Sequence, residues 1–433
     1  KFGDRGVAAV RVQRQQQVAG RAIPLRPDRY AVPERAQKSR PTPGGMAVAV
    51  ARAGAGGRDD RDAGHGAGLD LSVMLADPAG LERDLLDSRV RAIRVTGGLE
   101  GERLLGPRLA IVNPPLWEIG HVSWFQERWC LRLRADGTLG DSILPEADAL
   151  YDSSAVAHDT RWDLPLPDLA ATRGYGERVL DLVRERLAHE PESESLQYFV
   201  RLATFHEDMH AEAFHYTRQT LGYPDPLSLE TGYEKDKSDI GIRGGKFMLG
   251  AMPADSFVFD NEKWAHEVEL APFCIARSVV TNAQYLAFVA AGGAPLRYWK
   301  QDGGRWLQRR FDHWLPLTPD EPVRHISWTE AQAYCAWAKR RLPTEAEWEL
   351  AVSCGGIPKA AGVWEWTAST FGPYPGFVAD PYKEYSEPWF GTHRVLRGGS
   401  FATPARLIWP TFRNFFTPER GDIFSGFRTC APS

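Results

Sequence analysis

The apolar pattern of this chain changes character at GYPDPLS, residues 222–228. Before this segment, stretches such as PAGLERDLLDSRVRAIRVT place apolar residues three and four positions apart beside charged faces, which is typical of packed helices. After it come short apolar runs, many glycines and tryptophans, and proline-bounded turns. A chain of 433 residues also exceeds a typical single domain. We therefore predict a bundle of about four main helices over residues 69–226 and an irregular α+β domain over residues 227–433.

Residues 1–68 have a different composition, rich in Arg, Gln, Ala and Gly and with little apolar periodicity. A segment of this kind buries too little apolar surface to offset the entropy lost on ordering. We predict that it is a disordered leader or tail without a catalytic role.

The charge balance and the cysteines exclude several classes of partner. A formal net charge of −4 offers no basic field for a phosphate backbone, so we expect no nucleic acid partner. No apolar run is long enough to span a bilayer, so we expect no membrane insertion. The five cysteines lack a CxxC or zinc spacing, and their odd number favours a reducing, cytoplasmic setting. We expect a monomer or a weak dimer.

The strongest chemical signal is FHEDMHAE, residues 205–212, in which His206 and His210 stand four positions apart in a helical pattern. That spacing puts both imidazoles on one helix face, where they can chelate one divalent ion. His121, in LWEIGHVSWFQERW, lies in an earlier predicted helix that a bundle could direct to the same point. Three protein ligands would leave open positions on an octahedral ion for O₂ and a substrate atom.

The residues around this pattern leave several interpretations open. Glu212 could accept a proton from a ligand ring and fix its tautomer, whereas His215 lies on a different helix face and outside the ligand set. Imidazole ligands suit iron, zinc, copper or nickel, so a zinc hydrolase built on HEDMH is an alternative. Histidines in helices are also often surface or core groups without a ligand.

The second half of the chain contains, in order, the signature words of the formylglycine-generating-enzyme-like domain. They are GGKFMLG (244–250), VVTNAQYLAF (279–288), HISWTEAQAYCAWAKRRLPTEAEWELA (325–351), GVWEWT (362–367), RVLRGGSF (394–401) and GFRTC (426–430). The first half resembles a DinB-type four-helix bundle. Together, over about residues 70–433, the two halves resemble the ergothioneine sulfoxide synthases and selenoneine synthases. This resemblance implies a DinB-like bundle followed by an irregular C-type-lectin-like domain that covers the metal site and binds substrate.

The resemblance also implies an activity and its site residues. It matches His121, His206 and His210 to a three-histidine iron(II) site that uses O₂ to join sulfur or selenium to the imidazole ring of hercynine, a trimethylated histidine. Asn414 and Phe415 match positions that hold hercynine. The amide can bind its carboxylate, and the aromatic ring can attract its quaternary ammonium.

A tyrosine near the iron donates a proton in enzymes of this family. Tyr374, in TFGPYPGF, lies at about the matching distance after WEWT, and the resemblance therefore assigns it this role. Tyr382 and Tyr385 lie nearby in the sequence.

The chalcogen donor is less closely specified by the resemblance. Sulfoxide synthases that use γ-glutamylcysteine carry two arginines one turn apart, and an acid after the Asn-aromatic pair. Here Arg161 matches the second arginine, but His158 stands at the first position and Phe416 at the acid. These changes disfavour a zwitterionic dipeptide, so we expect a selenosugar, with cysteine as the alternative. Indoles that could stack on a sugar ring are Trp124, Trp129 and Trp162.

Two other functions are open to comparison. Formylglycine-generating enzymes bind copper through a cysteine pair downstream of the RGGS word, and RGGSFATPARLIWPTFRN contains no cysteine. We therefore do not expect sulfatase activation. The alternative from another functional class is a non-catalytic module. In it the bundle is structural and the second domain binds a small ligand.

Overall fold

Helices form the first half of the chain in the computed structural model, which describes residues 78–229, 232–234, 236–253 and 257–432. They are α1 (Pro78–Val95), α2 (Pro115–Glu127), α3 (Ala147–Tyr151), α4 (Leu169–His189) and α5 (Glu194–Leu221). Helix α1 packs along α5, and α2 packs against both α4 and α5, which makes a four-helix bundle. The prediction for residues 1–68 lies outside the described residues. Among the described helices, none has both the length and the apolar character needed to cross a membrane.

Short strands and helices alternate irregularly in the second half. Its helices are α6 (Asn282–Ala290), α7 (Trp328–Ala338) and α8 (Glu345–Ser353). Its strands are β1 (Asp239–Ile242), β2 (Gly245–Leu249), β3 (His266–Leu270), β4 (Phe273–Ala276), β5 (Trp299–Asp302), β6 (Arg305–Arg310), β7 (His313–Pro316), β8 (Val363–Thr370), β9 (Arg394–Gly399), β10 (Asn414–Phe416) and β11 (Ser425–Phe427). The main sheet has the order β10-β9-β8-β11, in which only the β8–β11 pair is parallel. The predicted fold class, a helical bundle followed by an irregular α+β domain, is confirmed.

Helix α5 positions both the bundle and the second domain. The Ser193 hydroxyl accepts a hydrogen bond from the Leu196 N–H at its start, and Gly222, with φ of 67°, ends it in the left-handed conformation. Most of its residues are buried, because α1 and α2 cover one side and the second domain covers another. The boundary that we propose between residues 226 and 227 falls between the end of α5 and the start of β1.

A buried ion pair joins the second domain to α5. Arg406 donates from Nε and Nη2 to the two carboxylate oxygens of Asp208, at 2.6 and 2.7 Å, and from Nη1 to Asp87 at 2.7 Å. The Ser88 hydroxyl also donates to Asp208, at 3.0 Å. Burial raises the pKa of Asp208 to about 6 despite these partners. Because a buried carboxylate is costly without a cation, this contact holds the two domains in one arrangement.

Replacing Arg406 with Met should lower the free energy of unfolding by about 3–5 kcal/mol, because the buried Asp208 carboxylate loses its partner. Urea unfolding followed by circular dichroism measures the change. Arg184→Met is the matched control, since its pair with Glu82 (2.7 Å) is 38% and 39% exposed. An exposed pair of this kind contributes about 0–1 kcal/mol. Equal losses in the two variants would contradict the role of the domain contact.

Candidate metal centre

Helices α2 and α5 bring the three predicted histidines together. His121 comes from α2, and His206 and His210 come from successive turns of α5. The ring centroid of His121 lies 5.1 Å from each of the other two, which are 4.5 Å apart. One ring nitrogen from each lies within 4.8 Å of the others. In the described residues, no other group of three or more His, Cys, Asp or Glu side chains converges in this way.

The chemistry of these rings fits a divalent ion. Burial, and then the electrostatic interaction with the neighbouring His210, lower the pKa of both His121 and His206 well below 6.5, which favours the neutral form of these two rings. His121 Nδ1 lies 2.8 Å from the Tyr151 carbonyl oxygen, and His210 Nδ1 lies 2.6 Å from Glu118 Oε1. Each Nδ1 therefore donates its hydrogen, which leaves the Nε2 lone pair for a metal. His206 Nδ1 is buried without a hydrogen-bond partner among the described residues.

The carboxylate that orients a ligand ring is Glu118, and the prediction for Glu212 is wrong. Glu118 lies one turn before His121 on α2 and contacts His210 across the bundle. Glu212 is directed to the second domain, where it accepts three hydrogen bonds. The donors are Trp364 Nε1 (2.8 Å), Ser400 Oγ (2.5 Å) and Thr403 Oγ1 (2.6 Å). Glu212 lies two positions after His210 and therefore on a different helix face. A Glu three positions before a predicted ligand, as Glu118 is before His121, is a sequence signal that could identify it.

Aromatic rings hold two of the imidazoles in place. Trp117 stacks on His121 at 4.8 Å with an interplanar angle of 9°, and Phe125 stacks on His206 at 3.7 Å with the same angle. The ring of Tyr382, from the second domain, lies edge-to-face with two of these rings, with its centroid 4.9 Å from that of Phe125 and 6.4 Å from that of His206. The second domain therefore reaches the histidine cluster directly.

The tyrosine beside the histidines is Tyr382, which corrects the choice of Tyr374. Tyr374 is buried within the second domain, where its hydroxyl donates to Glu345 Oε2 at 3.3 Å and the Arg413 guanidinium lies 4.1 Å from its ring centroid. A turn closed by the Phe377 N–H and the Tyr374 carbonyl follows, and the chain then continues to the histidines. Distance along the sequence after WEWT does not reveal this turn.

Two anchors hold the loop that carries Tyr382. Before it, Asp380 accepts a hydrogen bond from the hydroxyl of Tyr198, on α5, at 3.0 Å. After it, the Ser386 hydroxyl accepts from Asn261 Nδ2, also at 3.0 Å. One anchor joins the loop to the bundle and the other joins it to the second domain, so its position depends on both.

Strand β10 carries the predicted hercynine-binding residues. Asn414 Oδ1 accepts a hydrogen bond from the Phe415 N–H at 2.9 Å. The Phe415 ring stacks on Phe371 at 4.0 Å and lies 5.8 Å from Tyr385. Tyr385 in turn lies 5.9 Å from Tyr382. A row of aromatic rings thus connects β10 to the tyrosine beside the histidines.

The residues predicted to select the donor already have protein partners. Arg161 is buried, its guanidinium lies 3.9 Å from the Trp117 ring centroid, and it donates to Asn113 Oδ1 at 2.7 Å. Burial lowers the pKa of Arg161 to about 10. His158 Nε2 lies 2.8 Å from a backbone carbonyl oxygen, and Phe416 lies 5.0 Å from the guanidinium of a nearby arginine. Their roles in donor binding stay predictions.

Two family models match the chain. The DinB superfamily matches residues 84–214, and the sulfatase-modifying factor enzyme 1-like domain matches residues 229–361 and 357–432. The chain is also similar to the formylglycine-generating enzyme of Streptomyces coelicolor, with 27% identity over 248 residues, which cover 38% of this chain and 79% of the relative.

Two hercynine oxygenases match nearly the whole of their own length. The chain is 32% identical over 433 residues to that of Mycolicibacterium thermoresistibile, which covers 82% of this chain and 95% of the relative. It is 32% identical over 425 residues to that of Mycobacterium tuberculosis, which covers 82% of this chain and 99% of the relative. Because the identity extends through both domains, the chain belongs to the hercynine oxygenase family, the ergothioneine sulfoxide synthase-like group that its sequence resembles.

Proposed function

We propose that the chain is a selenoneine synthase, a non-haem iron(II), O₂-dependent oxidoreductase that forms a C–Se bond between hercynine and a selenosugar. The observation that carries the proposal is the convergence of His121, His206 and His210 beneath Tyr382 of the second domain. The names of the two hercynine oxygenases support hercynine as a substrate. The alternative is an ergothioneine-type sulfoxide synthase that joins hercynine to cysteine or another thiol.

Iron(II) is the ion that we propose for the three imidazoles. When bound, it would supply the redox chemistry that couples O₂ reduction to bond formation on the hercynine ring. The protein contributes the orientation of the ligands, because the Tyr151 carbonyl and Glu118 each hold one ring by its Nδ1. Trp117 and Phe125 stack on two of the rings and exclude water from their faces.

The second domain supplies the groups that we propose for hercynine. The Asn414 amide would bind the carboxylate, and the Phe415 ring would attract the quaternary ammonium in a cation–π contact of about 0.5–2 kcal/mol. The Tyr382 hydroxyl would donate a proton at the metal centre. Burial raises its pKa above the ordinary value of 10, so the hydroxyl keeps its proton until a strong base forms beside it.

The donor site supports a substrate of low net charge. Phe416 stands where γ-glutamylcysteine-using relatives place an acid, and Arg161 is buried and bonded to Asn113. The RGGS loop lacks the copper-binding cysteines of sulfatase activation, and Ser400 within it is bonded to Glu212 instead. These features favour a sugar-linked selenol over a zwitterionic dipeptide.

Replacing His206 with Ala should abolish iron binding and turnover together, because one of three ligands is lost. Iron content after anaerobic reconstitution and hercynine-dependent O₂ uptake measure the two effects. His215→Gln is the control on the same helix, since that ring packs against Phe311 and faces Asp225 at 3.4 Å. Full turnover in His206→Ala would reject the metal centre, and zinc dependence with indifference to O₂ would indicate a hydrolase.

Replacing Tyr382 with Phe should reduce kcat by about 10²–10⁴-fold, because a positioned proton donor is removed without loss of the ring. The KM for hercynine should change little. Steady-state kinetics at saturating donor make the comparison, with Tyr374→Phe as the matched control inside the second domain. A larger loss in Tyr374→Phe than in Tyr382→Phe would restore the original assignment of Tyr374.

A competition experiment between substrates identifies the chalcogen donor. Iron-loaded protein with hercynine, offered selenosugar, cysteine and γ-glutamylcysteine together, should form the selenium product in large excess. Mass spectrometry resolves the three products. A dominant sulfoxide from cysteine would establish the alternative function, and a dominant product from γ-glutamylcysteine would contradict the interpretation of Phe416 and His158.

A further inference from the structure

Arg128 directly follows α2, the helix that carries the first candidate metal ligand. It lies seven positions after His121, at the start of a π-helical turn that spans Arg128–Arg132. The backbone stays helical at Arg128, with φ of −53° and ψ of −51°. Its guanidinium lies over Trp124, whose ring centroid is 5.7 Å from that of His121, so it is close to the histidine cluster.

The Arg128 guanidinium is held by ring faces and a loose ion pair. Its central carbon lies 5.3 Å from the Trp124 ring and 5.8 Å from the Trp129 ring. Nη1 lies 3.6 Å from Asp152 Oδ2, which is too long for a hydrogen bond. The side chain is 28% exposed and donates no hydrogen bond within the described residues. Its N–H groups are consequently available to a bound molecule, whereas Nη1 and Nη2 of Arg161 already donate to protein oxygens.

Asp152 is tied to the same centre through the backbone. It follows Tyr151, whose carbonyl oxygen accepts from His121 Nδ1 at 2.8 Å. Asp152 Oδ1 accepts from the backbone N–H and the hydroxyl of Ser154, at 2.9 and 2.6 Å, so the carboxylate is oriented while Oδ2 keeps its acceptor capacity. The Trp129 ring, which flanks the Arg128 guanidinium, lies 6.1 Å from the Tyr382 ring, so the pair is also close to that tyrosine.

Arg128 and Asp152 together offer a fork of N–H donors beside a free carboxylate oxygen, next to two indoles. A hydroxyl pair on neighbouring carbons matches this arrangement, because one hydroxyl can donate to Oδ2 while the other accepts from the guanidinium. The opposite charges of the pair compensate each other. To pair with both charges of a zwitterion, the side chains of Arg128 and Asp152 would have to move apart. A neutral diol can bind beside the intact ion pair.

On the basis of the proposed function, we infer that Arg128 and Asp152 recognise the chalcogen donor, and that they select a neutral donor with vicinal hydroxyl groups, as on a sugar ring. Neither residue follows from the donor-site pattern of the sequence, which indicates Arg161 and His158 instead. The pair lies next to the candidate metal centre, because the two indoles that flank Arg128 approach the rings of His121 and Tyr382.

Kinetics of two variants test the inference. Arg128→Met and Asp152→Asn should each raise the KM for 1-thio-β-D-glucose by about tenfold to a hundredfold, since each removes a charge-assisted hydrogen bond of about 1.5–3 kcal/mol. Iron content and the KM for hercynine should stay the same, which shows that both variants fold. Arg184→Met is the control, because Arg184, on α4, pairs at 2.7 Å with the half-exposed Glu82 and contacts none of the indoles named as sugar-stacking candidates. It should leave all three quantities unchanged.

The outcomes separate this inference from the proposed function. If the unaltered protein forms a product from hercynine and the thiosugar but the variants keep its donor KM, the inference alone is overturned. A rise in the KM for cysteine without a rise for the thiosugar would also overturn it, since the pair would then recognise a zwitterion. If the unaltered, iron-loaded protein forms no C–S or C–Se product with any donor, the proposed function and the inference both fail.

Discussion

The arrangement of the site depends on the burial of α5 on two opposite faces. His206 and His210 face α2, while Asp208 and Glu212 face the second domain. Residues two positions apart on an α-helix are separated by about 200°, so the same turns of helix can carry both sets. The backbone that holds two candidate metal ligands is therefore the backbone to which the second domain is bonded.

Buried carboxylates determine how that second domain docks. Asp208 and Glu212 are both removed from water, and the second domain provides hydrogen-bond donors to each of them. Arg406 serves the first, and Ser400 and Thr403 serve the second. The segment from Ser400 to Arg406 is therefore a docking contact between the two domains. Such directional contacts select one domain orientation more sharply than apolar packing does.

The candidate site is completed by aromatic rings from both domains. Phe125 stacks on His206 from the bundle, and Tyr382 approaches the same ring from the second domain. Tyr385 continues the row toward Phe415, at the edge of the main sheet. Because the residues proposed for hercynine lie on one domain and the candidate metal ligands lie on the other, the proposed activity requires the docked arrangement.

Local spacing was sufficient to identify the two-domain class and the ligand pair His206 and His210, since helical periodicity is a property of a few consecutive residues. Glu118 and Tyr382 could not be assigned in this way. Each contacts a histidine from a distant part of the chain, and such contacts depend on how helices and loops pack. Tyr374 illustrates the limit, because its spacing matched while a turn directed it into the second domain. Sequence periodicity describes which face a residue occupies, and packing between distant segments decides what that face meets.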